Sequence, residues 1–117
     1  MNVRQGDLIW VDFGVPIGSQ PGYQRPAVVV QCDLFNKTAL NTCIVAAVTT
    51  NLRLGDAPGN VRLARGEAKL AEPSVVNVTS LTAVDQAQIV RTLGTLSKKR
   101  IREVLDGVAL VLFGDTL

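Results

Sequence analysis

The segment Gly14–Gln31 reads GVPIGSQPGYQRPAVVVQ and joins a glycine- and proline-rich loop to a run of β-branched residues. The eleven residues Gly14–Gln24 exceed the roughly 2–5 residues of an ordinary hairpin loop, which predicts a shaped loop with exposed backbone amides. The apolar run Ala27–Gln31 is typical of a well-buried strand. Between them, Pro26 biases Arg25 toward an extended backbone, so we expect a guanidinium held where the loop enters the strand.

Further strands are predicted on both sides of this segment, because short apolar runs alternate with turn residues. These strands are expected at Leu8–Phe13, Thr42–Thr50, Asn60–Leu63, Ser74–Val78 and Ile89–Leu93. A turn near Asp85–Gln88 precedes the last of them. Short strands at such close spacing indicate a small antiparallel barrel or sandwich.

The end of the chain changes to helical spacing, with apolar residues at Ile101, Val104, Leu105, Val108 and Leu112. Ser97 is the expected N-cap of this helix, and Arg102 is spaced to pair with Asp106. The basic run Lys98–Arg100 falls in the first turn, where the helix dipole disfavours cations. This run is either a solvated basic corner or a contact for an acidic partner or for RNA. We therefore predict a mainly β fold with one helix packed on it.

The totals fit one soluble domain spanning residues 1–117, because 47% of the residues are hydrophobic and mean hydropathy is +0.26. No apolar run approaches the ~18 residues of a membrane span, and the first residues do not resemble a secretory signal. We expect a cytoplasmic protein without membrane association. A net charge of +2 does not by itself indicate nucleic-acid binding.

The sequence contains no histidine, which excludes a two-histidine nuclease and any catalytic triad with a histidine base. No cluster with metal-ligand spacing is present, so we expect neither a metal site nor a cofactor. Cys32 and Cys43 fall in apolar runs on what look like neighbouring strands. We expect both thiols to be buried, although a disulfide between them stays open.

Four blocks of the sequence resemble the MazF/PemK-type toxins, which are small metal-free endoribonucleases. The most specific block is Gly18–Gln31, which is similar to the family signature G-S-E-Q-x-x-x-R-P followed by an apolar strand. The others are weak singly but keep the family order. They are Arg4–Asp12 (RQGDLIWVD), Ile44–Thr49 (IVAAVT) and Ser74–Val76 (SVV).

The resemblance implies a fold, an activity and partners. The fold is an SH3-like barrel with a C-terminal helix, acting as a homodimer. The activity is sequence-selective cleavage of single-stranded RNA, especially mRNA, by attack of the ribose 2′-OH on the adjacent phosphate. The ends are then a 2′,3′-cyclic phosphate and a 5′-OH. The protein partner is a cognate antitoxin whose acidic, flexible tail occupies the RNA groove.

The resemblance also assigns roles to residues. The family's catalytic Arg falls on Arg25, its catalytic Thr on Thr49, and its RNA-contacting loop Ser on Ser19. Without the family, an Arg at a strand start is usually a surface salt-bridge residue, and Thr at a strand end is ordinary. Both types suit the chemistry, because a guanidinium and a hydroxyl can donate to the charge that develops on a phosphate.

The chain departs from the family pattern at several positions. Gln20 stands where many relatives have Glu, a candidate for deprotonating the 2′-OH, and an amide cannot do this. Tyr23 also differs from the usual loop residue and is expected to stack on a base. After SVV the chain reads NVTSLT, so Asn77 and Thr79 are expected to help read bases and to change the target sequence. Arg53 contacts RNA or is simply solvated.

The alternative function is a toxin of the same fold that binds DNA gyrase and cleaves nothing. The signature with Arg25 and Pro26, together with Thr49, favours the nuclease, because the gyrase poisons do not share that loop motif. A catalytically inactive regulator is a third possibility.

Overall fold

The structure, a computed structural model, describes residues 1–115, and its strands form one six-stranded antiparallel sheet. The strands are β1 (Asp7–Asp12), β2 (Gln24–Val29), β3 (Thr42–Thr49), β4 (Val61–Leu63), β5 (Ser74–Asp85) and β6 (Ile89–Thr95). Their order across the sheet is β4-β5-β3-β2-β1-β6. A short helix α1 (Asp33–Asn36) follows β2, and the long helix α2 (Lys98–Phe113) follows β6.

The sheet curls so that the segment after β4 meets β6. A Cβ added to Gly94 of β6 would lie 2.7 Å from the carbonyl oxygen of Ala68, in the 3-10 turn Glu67–Lys69. This contact brings the two edges of the sheet together, since β4 and β6 are its outermost strands. The predicted small barrel with a C-terminal helix is confirmed. No helix within residues 1–115 is long and apolar enough to cross a membrane.

Each face of the sheet carries its own apolar cluster. The first lies under α2, whose Val104 is buried and whose Ile101, Leu105 and Val108 pack against it. The strand residues of this cluster include Leu8, Val28, Ala46, Val48, Val61, Leu63, Val76 and Val78. The second lies on the opposite face and comprises Val3, Ile9, Val11, Ala27, Val29, Cys43, Val45 and Val84. Alternation along each strand separates the two sets, as the period of two requires.

β5 contains a bulge that shapes the second face. Val48 of β3 pairs with Val76, whereas Ala46 pairs with Leu81. β5 therefore advances five positions while β3 moves back two, and the extra residues leave the regular ladder. We call the segment Asn77–Ser80 the β5 bulge.

Several sequence predictions are confirmed and others are wrong in detail. Ser97 caps α2 by accepting a hydrogen bond from the Arg100 backbone N–H, and Arg102 Nε lies 3.3 Å from Asp106 Oδ1, as expected. The strand predicted to end at Val78 continues to Asp85. β5 pairs with β3 again after the bulge, and the bulge interrupts the apolar pattern that would have indicated this second half.

The prediction of two buried thiols is wrong for one of them. Cys43 is buried on β3, but Cys32 is exposed and lies just before α1 rather than on a strand. Both cysteines are free. Burial raises the pKa of the Cys43 thiol to about 11.

Candidate nucleic-acid interface

A groove of about 630 Å³ lies on the sheet face away from α2. One wall is the β1–β2 loop, residues 13–23, and the other is the β5 bulge with the strand that follows it. Its lining consists of Phe13, Ser19, Gln20, Pro21, Asn77, Thr79, Ser80, Leu81, Thr82, Ala83, Val84 and Gln88. None of these residues carries a charge, and amides and hydroxyls dominate the polar ones. Such groups suit the edges of nucleobases better than phosphates.

The groove contains four of the residues predicted to contact RNA: Ser19, Gln20, Asn77 and Thr79. The first two come from the loop and the other two from the bulge. The sequence places these pairs almost sixty positions apart, and the sheet brings them together across β2 and β3.

The bulge wall is cross-linked by its own side chains. Asn77 Nδ2 donates to Ser80 Oγ at 3.0 Å, and Thr79 Oγ1 donates to Asn77 Oδ1 at 3.0 Å. At the far end of the groove, Gln88 Nε2 donates to the carbonyl oxygen of Asp12 at 3.2 Å. These contacts hold polar side chains in fixed orientations along one side of the groove.

Hydrogen bonds hold the loop wall mainly at its base, where the loop joins β1 and β2. The Phe13 backbone N–H donates to the Tyr23 carbonyl at 2.8 Å, and Arg25 Nε donates to the Gly22 carbonyl at 3.1 Å. Gly22 also packs against Pro16, where a Cβ would overlap the proline ring. Glycine is therefore required at this turn.

Arg25 and Thr49 lie beside the groove rather than in its lining. The register pairs Ala27 with Ala47, and continuing it by two positions places Arg25 across from Thr49. Since side chains alternate along a strand, both residues share the face that carries Ala27 and the groove. The two predicted catalytic residues are thus neighbours on β2 and β3.

Their hydrogen bonds leave each of them able to donate outwards. Arg25 Nε bonds to the Gly22 carbonyl, so the two terminal nitrogens of the guanidinium keep the forked geometry that suits a phosphate. Thr49 Oγ1 accepts from the Asn51 backbone N–H at 3.1 Å, which leaves its own proton to donate elsewhere. The pair can therefore bind negative charge from two sides.

Tyr23 and Arg53 are not part of the groove lining. Tyr23 has a φ of 56° and is 65% exposed, so its ring stands out from the loop beside Arg25. Arg53 is exposed on the 3-10 turn Leu52–Asp56, directly after Thr49. Both can approach a strand of RNA that passes Arg25, but neither borders the cavity.

Some groove residues were missed by sequence reasoning. Ser80 and Gln88 line the groove, and Asn60 supports it from behind. The run NVTS carried a usable signal for Ser80, since three of its four residues are polar and interrupt an apolar strand. Nothing in the sequence marks Asn60, because its role depends on contacts across 17 and 18 positions of the chain.

The resolved pKa shifts lie outside the groove. A hydrogen bond from the Gln5 backbone lowers the pKa of Asp33, and a hydrogen bond from Arg100 lowers the pKa of Glu67. Within residues 1–115, no three His, Cys, Asp or Glu side chains come together as metal ligands.

Residues 4–112 match the family described as PemK-like, MazF-like toxin of type II toxin–antitoxin systems. The chain belongs to this toxin family. It is 36% identical over 112 residues to Endoribonuclease MazF6 of Mycobacterium tuberculosis, covering 96% of this chain and 98% of the relative. It is 31% identical over 110 residues to Endoribonuclease MazF of Staphylococcus saprophyticus, covering 94% and 91%.

The fold is similar to that of solved toxins of this family. MazF from Deinococcus radiodurans superposes with a TM-score of 0.77 at 22% identity, covering 94% of this chain and 96% of that chain. This likeness confirms the predicted fold, and the match over residues 4–112 confirms the predicted family. The names of the curated relatives support the predicted endoribonuclease activity, and they do not favour the gyrase-binding alternative.

Proposed function

We propose that this toxin cuts single-stranded RNA, mRNA above all, with the bases in the uncharged groove and the scissile phosphate against Arg25 and Thr49. The observation that carries the proposal is the placement of a guanidinium and a free hydroxyl proton on adjacent strands, beside a cavity lined by amides and hydroxyls. Phosphate contacts then position the strand, and the groove reads its sequence.

In the proposed reaction the ribose 2′-oxygen attacks the adjacent phosphorus. The bond from the 2′-oxygen to phosphorus forms as the bond from phosphorus to the 5′-oxygen breaks. The 2′-OH gives up its proton and the departing 5′-oxygen gains one, so the ends are a 2′,3′-cyclic phosphate and a 5′-OH. Arg25 and Thr49 stabilise the charge on the non-bridging oxygens, and one preorganised donor of this kind changes rates by about 10²–10³-fold. This step uses no metal and no cofactor.

The proton acceptor is not a carboxylate of the groove, because the described lining contains no ionisable side chain. Gln20 lies in the lining, and its amide can donate or accept a hydrogen bond but cannot take the proton. We assign Gln20 and Ser19 to RNA binding, together with Asn77 and Thr79. Tyr23 and Arg53 contact the strand outside the groove, the former by stacking on a base.

The partners of this chain are also part of the proposal. Solved relatives include an endoribonuclease in complex with its cognate antitoxin and a MazE–MazF complex, which supports an antitoxin as partner. An acidic, flexible antitoxin tail would compete with RNA for Arg25. A homodimer is supported by the apolar groove between Ile44, Leu81, Val108 and Leu112. We place this activity in the cytoplasm, where mRNA is available.

The test is cleavage of a long defined RNA by the wild type and by Arg25→Ala. We expect the wild type to cut and Arg25→Ala to lose at least about a hundredfold in rate while it stays folded. Arg102→Ala is the matched control, because Arg102 is an exposed arginine on α2 with a carboxylate partner and lies away from the groove.

Cleavage by Arg25→Ala at the wild-type rate would exclude the proposed mechanism. If the wild-type protein left RNA intact but inhibited supercoiling by DNA gyrase, the result would support the gyrase-binding alternative instead.

A further inference from the structure

Asn60 joins the turn Leu52–Asp56 to the β5 bulge, although it does not line the groove itself. Its Oδ1 accepts from the Val78 backbone N–H at 2.9 Å, and its Nδ2 donates to the Leu54 carbonyl oxygen at 2.9 Å. A backbone N–H can only donate and a carbonyl oxygen can only accept. A single orientation of the Asn60 amide satisfies both groups.

The orientation of Asn60 determines that of Asn77. Asn60 Nδ2 also lies 3.4 Å from Asn77 Oδ1, which accepts from Thr79 Oγ1 as well. Because Asn60 presents a donor here, Asn77 must present its oxygen to Asn60 and its nitrogen to Ser80. Two backbone groups, the Val78 N–H and the Leu54 carbonyl, therefore determine which atoms donate and which accept throughout the network.

This network decides which hydrogen-bonding groups face the groove. An amide nitrogen carries two protons, and in the part of the chain that the structure describes Ser80 accepts one from Asn77, so the second can be donated into the groove. Ser80 accepts at its oxygen and keeps its own proton to donate. Thr79 has given its single proton to Asn77 and faces the groove as an acceptor.

We propose that Asn60 is a positioning residue that sets the base preference of the groove by fixing the Asn77 amide. Adjacent donors from Asn77 and Ser80 match a base edge with two neighbouring acceptors, which guanine and cytosine have. Adenine has no edge with two neighbouring acceptors, so it leaves one of these two donors unpaired and is disfavoured at this position. The inference rests on the proposed function, because it needs RNA in this groove.

The substitution Asn60→Asp distinguishes a role in positioning the Asn77 amide from a role in stabilising the fold alone. A carboxylate keeps the bond from the Val78 N–H but cannot donate to Asn77, so the Asn77 amide is expected to turn its nitrogen towards residue 60. The Asn77 oxygen then lies next to Ser80 Oγ and accepts the Ser80 proton, so both groups face the groove as acceptors, while Thr79 recovers its proton to donate. The donors and acceptors that face the groove are thus exchanged, and the new pattern favours adenine.

The experiment uses a single-stranded RNA library with randomised positions, with the cut ends sequenced for each variant. We expect wild-type protein to disfavour adenine at one position by about tenfold, and Asn60→Asp to remove or invert that bias. Asn36→Asp is the matched control. Asn36 is a buried Asn at the end of α1 with bonds to Gln31 and Asp33, so its loss weakens the fold but leaves the preference unchanged.

A second variant carries the test if Asn60→Asp does not fold. Asn77→Asp leaves Asn60 in place and presents an acceptor beside Ser80, so it must shift the preference in the same direction. Wild-type preference in a folded Asn60→Asp, or in Asn77→Asp, would overturn the inference. Absence of any cleavage by the wild type would instead contradict the proposed function.

Discussion

The two walls of the groove are held in different ways. The side chains of the β5 bulge are hydrogen-bonded to one another, and Asn60 accepts a hydrogen bond from the backbone of the bulge. The β1–β2 loop is closed at its base, while Val15 and Ile17 at its tip are 82% and 77% exposed. A wall whose polar groups are fixed can read bases without reorganising, whereas a loop with few tertiary contacts can adjust to the strand it receives.

This contrast assigns the three tasks of the site to different parts of the fold. In the proposed mechanism the bulge selects the base, the loop covers the strand, and the paired strands β2 and β3 carry the groups for the chemistry. The proposed catalytic pair lies on paired strands of the sheet, where packing holds side chains more firmly than in a loop.

The largest effect on rate besides that of Arg25 is expected from Thr49→Val, which removes a hydroxyl with little change of shape. Because Thr49 donates to the phosphate in this account, cleavage should fall by about a hundredfold. Single-turnover cleavage of a defined RNA measures it. Thr42→Val, at the other end of β3 and exposed, serves as the control and should keep the wild-type rate. A Thr49→Val enzyme within about twofold of wild type would remove Thr49 from the chemistry.

The next effect concerns stability and tests the contrast between the walls. Asn60→Ala leaves the Val78 N–H and the Leu54 carbonyl unpaired, so the free energy of unfolding should fall by about 2 kcal/mol. Ser19→Ala, on the exposed loop, should change it by less than about 0.5 kcal/mol. Urea unfolding of both variants gives the comparison. Equal losses would show that the two walls are equally constrained.

The smallest expected effect is a pH dependence of stability, which comes from an ion pair outside both walls of the groove. Arg100 bonds to Glu67 at 2.9 Å and lowers the pKa of that carboxyl below its ordinary value. A lowered pKa in the folded state means that the stabilisation exists at neutral pH and is lost as pH falls through the folded value. Glu67→Gln should therefore be less stable than wild type at pH 7, by less than about 1 kcal/mol, and equally stable in strong acid.

Thermal unfolding of Glu67→Gln and wild type across this pH range checks the sign. If the difference between them grew as the pH fell, the ion pair would not be its source. Base preference should be the same in both proteins, since Glu67 lies outside the groove.

The sequence predicted the fold for identifiable reasons, and the family resemblance proposed the catalytic pair. Short apolar runs located the start of every strand of the sheet to within a few residues, and helical spacing located α2 with its cap at Ser97. The signature around Arg25 and the apolar block ending at Thr49 came from the family resemblance. The register then placed them across from each other.

The parts that were missed depend on contacts between distant residues. The second half of β5 was hidden because the β5 bulge interrupts its alternation and looks like the end of a strand. Cys32 closely follows an apolar run but lies beyond the end of β2, where the chain turns into α1. Asn60 has no local signature, since its partners come from the turn Leu52–Asp56 and from β5.

The central claim is tested most directly by identifying the ends that the wild-type toxin leaves on a long defined RNA in the presence of EDTA. The account predicts cleavage that persists under chelation and produces a 2′,3′-cyclic phosphate with a 5′-OH, because Arg25 and Thr49 supply the charge stabilisation and the ribose supplies the nucleophile. Strict dependence on added metal, or 5′-phosphate ends, would contradict it.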